Sequence, residues 1–150
     1  MALGWGKRFW QGTVMNTTQT RKKSISLIYR GFETSAQDAA KLFGVPASRF
    51  GNRGEPVKRG VKTLLTRSYV GFSVDFKNDH TLCDMLPVLL AHLGGLDHLC
   101  DVKNRIQPEF VEIHFDIPVS NADEMQDGYL SAGVIADIFR LKANLSLAFF

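Results

Sequence analysis

The feature that most constrains the fold is a stretch in which apolar residues alternate strictly with small or polar ones. In YVGFSVDF, at 69–76, valine or phenylalanine occupies every second position from Val70 to Phe76, and glycine, serine and aspartate separate them. Successive side chains of a β-strand point to opposite faces, so this pattern predicts a strand with one buried and one wet face. A wet face is typical of antiparallel sheets, whereas doubly wound parallel sheets are covered on both sides.

Three further segments predict strands. SISLIYRGF begins at Ser24 and is apolar on one face and partly apolar on the other, which favours an interior position in the sheet. EFVEIHFDIPV begins at Glu109 and repeats the one-sided alternation, and NLSLAFF begins at Asn144. The predicted sheet therefore has at least four strands.

Helices are predicted between these strands. A serine or threonine at 34–35 can cap the first helix, Asp84 the second and Ser131 the third, because short polar side chains accept a hydrogen bond from a free N–H. The apolar stripe predicted for the third helix consists of Val134, Ile135, Ile138 and Leu141. Residues 96–103 predict only a short helical or irregular piece.

This order of elements predicts a single α+β domain. The β-α-β-α-β-α-β order is typical of an open sandwich, with a mainly antiparallel sheet of four to five strands and helices packed on one face. We assign residues 24–150 to this domain, and a chain of this length buries enough surface to fold without metal or disulfide support. Residues 1–23 have no periodicity and are predicted to form a flexible or arm-like tail.

Charge is distributed unevenly along the chain. Residues 1–67 hold 13 lysines or arginines against three acidic residues, and residues 68–150 hold five against twelve. Opposed charges of this kind favour association of a basic surface with an acidic one. Aromatic residues near the N-terminus add a second candidate contact, an arm formed by Trp5, Phe9 and Trp10. The leading hypothesis is therefore a non-catalytic interaction domain that binds a protein partner or a second copy of itself.

A basic, glycine-rich segment offers an alternative function. Six cationic side chains follow the first predicted helix and could contact an anion or a partner: Arg49, Arg53, Lys58, Arg59, Lys62 and Arg67. The segment AAKLFGVPASRFGNRG begins like a helix-turn-helix, but Gly51, Gly54 and Pro56 leave room for only about one turn of a recognition helix. Binding of nucleic acid or another polyanion is an alternative, although it is not favoured.

A third hypothesis is a small-ligand protein or an enzyme. Glu112, His114 and Asp116 share the polar face of one predicted strand, and such a row could do acid–base chemistry beside a cleft. A solvated sheet face gives the same row. The sequence contains no nucleophile elbow, phosphate-binding loop or zinc knuckle, so we assign no catalytic residue, cofactor or metal.

The compartment follows from what the sequence lacks. No stretch approaches the ~20 apolar residues of a membrane-spanning helix, and the N-terminus lacks the apolar core of a signal peptide. We therefore expect a cytoplasmic protein in which Cys83 and Cys100 are reduced thiols, with no membrane partner.

Several framework segments resemble a bacterial family, domain of unknown function 4279. They are ISLIYRGFETSAQDAAKLFGVPASRFGNRG, the strand YVGFSVDF and the ending LSAGVIADIFRLKANLSLAFF. The similarity runs from about Ser24 to Phe150, whereas the basic stretch 57–67 and the tail are not family features. The resemblance implies a compact α+β domain from the bacterial cytoplasm, linked to mobile or defence genes, and it implies no catalytic residues.

Overall fold

The computed structural model describes residues 22–77, 79–119 and 128–150. Within these ranges the chain forms five strands: β1 (Ser24–Arg30), β2 (Arg49–Gly51), β3 (Tyr69–Asp75), β4 (Phe110–Ile117) and β5 (Ala143–Phe149). The same ranges contain four helices: α1 (Ala36–Leu42), α2 (Leu82–His92), α3 (Leu96–Ile106) and α4 (Ala132–Arg140). The predicted α+β class is confirmed.

The strands form one open sheet in the order β2-β3-β1-β4-β5. The pairs β2–β3, β3–β1 and β1–β4 are antiparallel, and β4–β5 is parallel. The parallel pair requires a crossover, and α4 lies in the connection between its two strands. The two partly apolar faces of the SISLIYR segment fit their place at the centre of the sheet.

One face of the sheet carries the hydrophobic core. Ile25, Leu27 and Tyr29 of β1 are fully buried beneath the helices and join a cluster that contains residues of all four helices. The rings of Tyr29 and Phe43 meet edge to face at 5.0 Å between centroids. The Tyr29 hydroxyl donates to the carbonyl of Leu99 at 2.8 Å, and burial raises the pKa of this phenol well above its usual range. The core therefore includes one satisfied polar group that fixes α3 against the sheet.

Two of the predicted helix boundaries are wrong. Helix α2 begins at Leu82, and its cap is Thr81 rather than Asp84. Asp84 instead accepts hydrogen bonds from the backbone N–H and hydroxyl of Thr81, which hold the pKa of its carboxyl below the usual range. Pro87 lies inside α2, beyond its first turn. Residues 96–106 form a regular helix of 11 residues, which is longer than the short helical or irregular piece predicted for residues 96–103.

The predicted cap of α4 is confirmed, but its predicted apolar stripe is too wide. The Ser131 hydroxyl accepts a hydrogen bond from the N–H of Val134 at 3.2 Å. Val134, Ile138 and Leu141 are buried, whereas Ile135 is 53% exposed. The side of α4 that packs into the core is therefore narrower than the predicted stripe of four apolar residues.

A short strand, β2, interrupts the predicted basic connection. Arg49–Gly51 pairs with β3 at the edge of the sheet, and no helix follows α1 before this strand. At the start of the described chain, Lys23 is buried and its carbonyl accepts the N–H of Phe76 at 2.8 Å.

Among the described helices, none alone has both the length and the apolar character needed to cross a membrane. Helices α2 and α3 reach that length and composition only when taken together, and they bend by 65° where they meet.

Candidate functional site

Glu112, His114 and Asp116 lie on the sheet face opposite the helices, which we call the open face. Their neighbours Val111, Ile113 and Phe115 point into the core, so the alternation along β4 places the polar row as predicted. His114 Nδ1 lies 2.9 Å from the Ser146 hydroxyl of β5, and its Nε2 lies 3.2 Å from Asp116 Oδ1. The imidazole therefore connects two strands.

The hydrogen bonds of the open face continue onto β1 and β3. Asp116 Oδ2 accepts a hydrogen bond from the Ser24 hydroxyl at 3.3 Å. The hydroxyls of Ser26 and Ser73 lie 2.7 Å apart across the β1–β3 pair. Because both ring nitrogens of His114 have partners within the sheet, this row ties strands together.

A cavity of about 300 Å³ lies elsewhere, where β1 leads into α1. Loop residues of four segments line it, among them Glu33, Arg53, Arg67 and Glu109. Arg67 Nε bonds Glu109 Oε2 at 2.6 Å, and the guanidinium also lies 5.7 Å from the centre of the Phe110 ring. The cavity thus contains charges of both signs, and one of its two arginines is already paired. Glu112, His114 and Asp116 do not line it.

The six predicted basic contacts separate into two groups. Residues 54–65 form an irregular hairpin in which Leu65 N–H donates to the Glu55 carbonyl at 2.7 Å and Val57 N–H donates to the Thr63 carbonyl at 2.9 Å. Lys58, Arg59 and Lys62 are exposed around its tip, where Gly60 turns the chain with a φ of +81°. Arg49, Arg53 and Arg67 lie near the sheet instead.

Arg49, one of the three arginines near the sheet, packs over strand β3. Its side chain lies across Gly71 of β3, so a Cβ atom at Gly71 would come within 3.3 Å of Arg49 Cγ and 3.4 Å of Ile28 Cγ1. Ile28 is 1% exposed although it lies outside the helix-covered core. Arg49 therefore contributes to covering an apolar residue of the open face.

An exposed apolar area formed by neighbouring elements lies at the other edge of the sheet. Leu145, Leu147 and Phe149 of β5 are 43%, 45% and 63% exposed. In the parallel register they pair with buried residues of β4, for example Leu145 with Ile113, so they lie on the helix-covered side of the sheet. The helices leave this outer strip uncovered.

Helix α4 adds two exposed apolar side chains next to this strand. Ile135 is 53% and Phe139 78% exposed, and they lie one turn apart on the same side of the helix. Parallel strands joined through a helix connect with a right-handed sense. Ile135 and Phe139 each follow a buried residue of α4 directly. With the right-handed sense, their side chains therefore point toward the outer edge of β5. We name the β5–α4 surface for these five residues: Ile135, Phe139, Leu145, Leu147 and Phe149.

The Cys83 and His98 side chains contact backbone groups within the fold. Cys83 Sγ lies 3.0 Å from the Tyr129 carbonyl and 3.1 Å from the Ser131 N–H, and His98 Nε2 lies 3.2 Å from the Phe43 carbonyl. Within the described ranges no group of three or more histidine, cysteine or acidic residues is placed to hold a metal ion. The proposed arm residues Trp5, Phe9 and Trp10 lie outside the described residues.

Comparisons with protein-family models, curated proteins and solved structures found no match to this chain. The resemblance to domain of unknown function 4279 therefore stays a prediction.

Proposed function

We propose that this protein is a non-catalytic interaction domain, which binds a protein partner or a second copy of itself through the β5–α4 surface. One observation carries the proposal. An edge strand of seven residues, Ala143–Phe149, contains no charged residue and exposes three large apolar side chains. Native proteins usually shorten, charge or cover a free strand edge, because an open edge recruits other chains.

The extent of the exposed apolar surface supports an interaction role. Phe139 and Phe149 are 78% and 63% exposed. A phenylalanine side chain buries ~150–250 Å² in a protein core, so these two rings alone expose on the order of 300 Å². Large exposed apolar areas on a monomer often mark a binding site. The leucines of β5 and Ile135 of α4 enlarge the surface further.

Paired substitutions at the two edges of the sheet test this function. Leu147→Glu places a charge on β5, and Phe50→Glu makes the same change on β2, where the native side chain is equally exposed at 46%. Burial of two such half-exposed leucines per dimer contributes on the order of 2–3 kcal/mol, and a buried glutamate adds a desolvation cost. Sedimentation equilibrium should therefore show association at least ~100-fold weaker for Leu147→Glu.

The control and the salt dependence sharpen this test. Phe50→Glu should associate like the native protein. Association through an apolar surface should persist at high salt, whereas contact between the oppositely charged halves of the chain would weaken with salt. A native chain that stays monomeric and recovers no partner, or equal association of both variants, would contradict the proposed surface.

Polyanion binding is a second candidate function, and the exposed hairpin at 54–65 favours it. This hairpin presents Lys58, Arg59 and Lys62 together, with Val57 and Val61 exposed beside them. Binding to a 20-nucleotide duplex in a fluorescence titration should then weaken steeply with salt and with Lys58→Glu combined with Arg59→Glu. Arg67→Glu is the control, because Arg67 is already paired with Glu109. Absence of binding at low salt would remove this candidate.

A further inference from the structure

We infer that the partner at the β5–α4 surface is a second copy of this chain, joined by antiparallel pairing of β5 with β5 around a two-fold axis at Ser146. This inference rests on the proposed function and names its partner. It follows from the backbone of β5, from the sequence of the strand, and from the position of α4.

The backbone of β5 presents hydrogen-bonding groups at regular intervals along its outer edge. The Phe150 N–H donates to the Ile117 carbonyl at 3.1 Å, and its carbonyl accepts the Val119 N–H at 2.6 Å, so residue 150 directs both groups toward β4. This direction alternates along a strand. Asn144 and Ser146 therefore also face β4, whereas Leu145 and Leu147 direct their N–H and carbonyl groups to the outer edge, where β5 pairs with no other strand of the described ranges.

One register joins two copies of the whole strand. With Ser146 opposite Ser146 of the second copy, Leu145 pairs with Leu147, and Ala143 pairs with Phe149. The outward residues then face each other as hydrogen-bonded pairs, which exchange two N–H···O bonds each. Every apolar side chain meets an apolar side chain on the helix side of the sheet, and no charge is buried, because the strand contains none. Its sequence is thus complementary to itself.

Helix α4 extends the same interface. A two-fold axis normal to the sheet keeps both helix layers on one side, so each copy's Ile135 and Phe139 approach those of the other across the joined strands. The four phenyl rings of two copies, Phe139 and Phe149 in each, expose on the order of 600 Å². The leucines, isoleucines and paired strand edges add to this area, which approaches the ~1,200–2,000 Å² of a stable interface.

A disulfide at the two-fold axis tests the register. Ser146 would form a non-hydrogen-bonded antiparallel pair with its copy, in which the Cα atoms are ~4.5 Å apart and within the range that a disulfide bridges. We expect Ser146→Cys to form an intermolecular disulfide on mild oxidation of the full chain. The native chain controls for Cys83 and Cys100, which are both half-buried.

A neighbouring position on the same face gives the matched control. Asn144→Cys places the thiol roughly 14 Å from that of its copy in this register, so it should cross-link at least ~10-fold more slowly than Ser146→Cys. A mixture of Asn144→Cys with Ala148→Cys should cross-link as a heterodimer, because these residues lie opposite each other. Because Ser146→Cys removes the hydrogen bond between Ser146 and His114, circular dichroism is used to check that each variant is folded.

The outcomes separate this inference from the proposed function. Selective cross-linking at Ser146 supports both. A native dimer that Leu147→Glu dissociates but that Ser146→Cys does not cross-link overturns the register and keeps the proposed surface. A native monomer that recovers another protein only with Leu147 intact overturns self-pairing alone. A monomer that recovers nothing overturns both.

Discussion

The two edges of the sheet solve the problem of an open strand in opposite ways. Strand β2 has only three residues, carries Arg49, and leads directly into the basic hairpin. Just before β2, the Ser48 hydroxyl accepts a hydrogen bond from the Ser73 N–H of β3. A side chain therefore takes the place of a strand partner at this position of β3. Strand β5 is seven residues long, uncharged, and exposes leucines and phenylalanine. Among the residues that the structure describes, only those at the β2 edge have the features that protect a sheet from other chains.

The two edges therefore have different roles, with the β2 edge contributing to the stability of the fold and the β5 edge to association. At the β2 edge, polar side chains turn the chain away from the sheet and tie it to α1. At the β5 edge, apolar side chains that the four helices do not cover stay at the surface. Substitutions near β2 should therefore change stability without changing association, and substitutions in β5 should do the reverse.

The largest effect on stability is expected from Asn52→Ala, beside β2. The Asn52 side chain accepts the Ala36 N–H at 2.7 Å and donates to both Gln37 and Glu55. Ala36 is fully buried, so its N–H would lose its partner away from water. We expect the free energy of unfolding in urea to fall by about 1–3 kcal/mol. The exposed Asn144 of β5 is the control, and Asn144→Ala should change stability by less than about 0.5 kcal/mol.

Equal losses for Asn52→Ala and Asn144→Ala would show that the β2 edge is not held by this side chain. Weaker association of Asn52→Ala would show that the two edges are coupled, and would contradict the expectation that substitutions near β2 leave association unchanged.

A smaller effect is expected from removing helix caps. Ser35 caps α1 by accepting the Asp38 N–H, and Ser131 caps α4 by accepting the Val134 N–H, both at 3.2 Å. Replacing either serine by alanine should cost about 1 kcal/mol of unfolding free energy. Only α4 carries part of the β5–α4 surface, so only Ser131→Ala should also weaken association in sedimentation experiments. Equal effects of both variants on association would contradict the assignment of α4 to the interface.

The smallest effect concerns the pH dependence of the β2 edge. The side-chain and backbone hydrogen bonds from Asn52 hold the pKa of the exposed Glu55 carboxyl below its usual range. A carboxyl with a lowered pKa contributes stability that is present above its unfolded pKa and is lost as the pH falls through its folded pKa. The native chain should therefore exceed Glu55→Gln in stability at neutral pH, and the difference should disappear in acid. A difference that grows in acid would contradict this sign.

The sequence predicts the central part of the sheet well for a physical reason. Along β3 and β4, alternation is imposed by burial of one face against the core, so the pattern reports both the strand and its orientation. It places Glu112, His114 and Asp116 together on one face for the same reason. The caps Ser35 and Ser131 are local hydrogen bonds, which the sequence also predicts.

What the sequence does not predict depends on tertiary contacts. Strand β2 is too short to show periodicity and lies in a segment rich in glycine and proline, and the parallel direction of β5 depends on where α4 crosses. Ile135 has the spacing of a core residue, but Val134 and Ile138 already fill the side of α4 that faces the sheet. The exposed strip of β5 is equally hidden, because a strand pattern cannot show how far a helix covers it.

Hydrogen exchange along β5 tests its pairing with a second copy residue by residue, because adjacent amides of a strand face opposite ways. The amides of Asn144 and Ser146 face β4 and should be protected at every protein concentration. Those of Leu145 and Leu147 face the free edge and should gain protection as concentration rises, and Leu147→Glu should remove this gain at Leu145. Exchange of Leu145 and Leu147 that stays fast and independent of concentration would contradict pairing of β5 with a second copy.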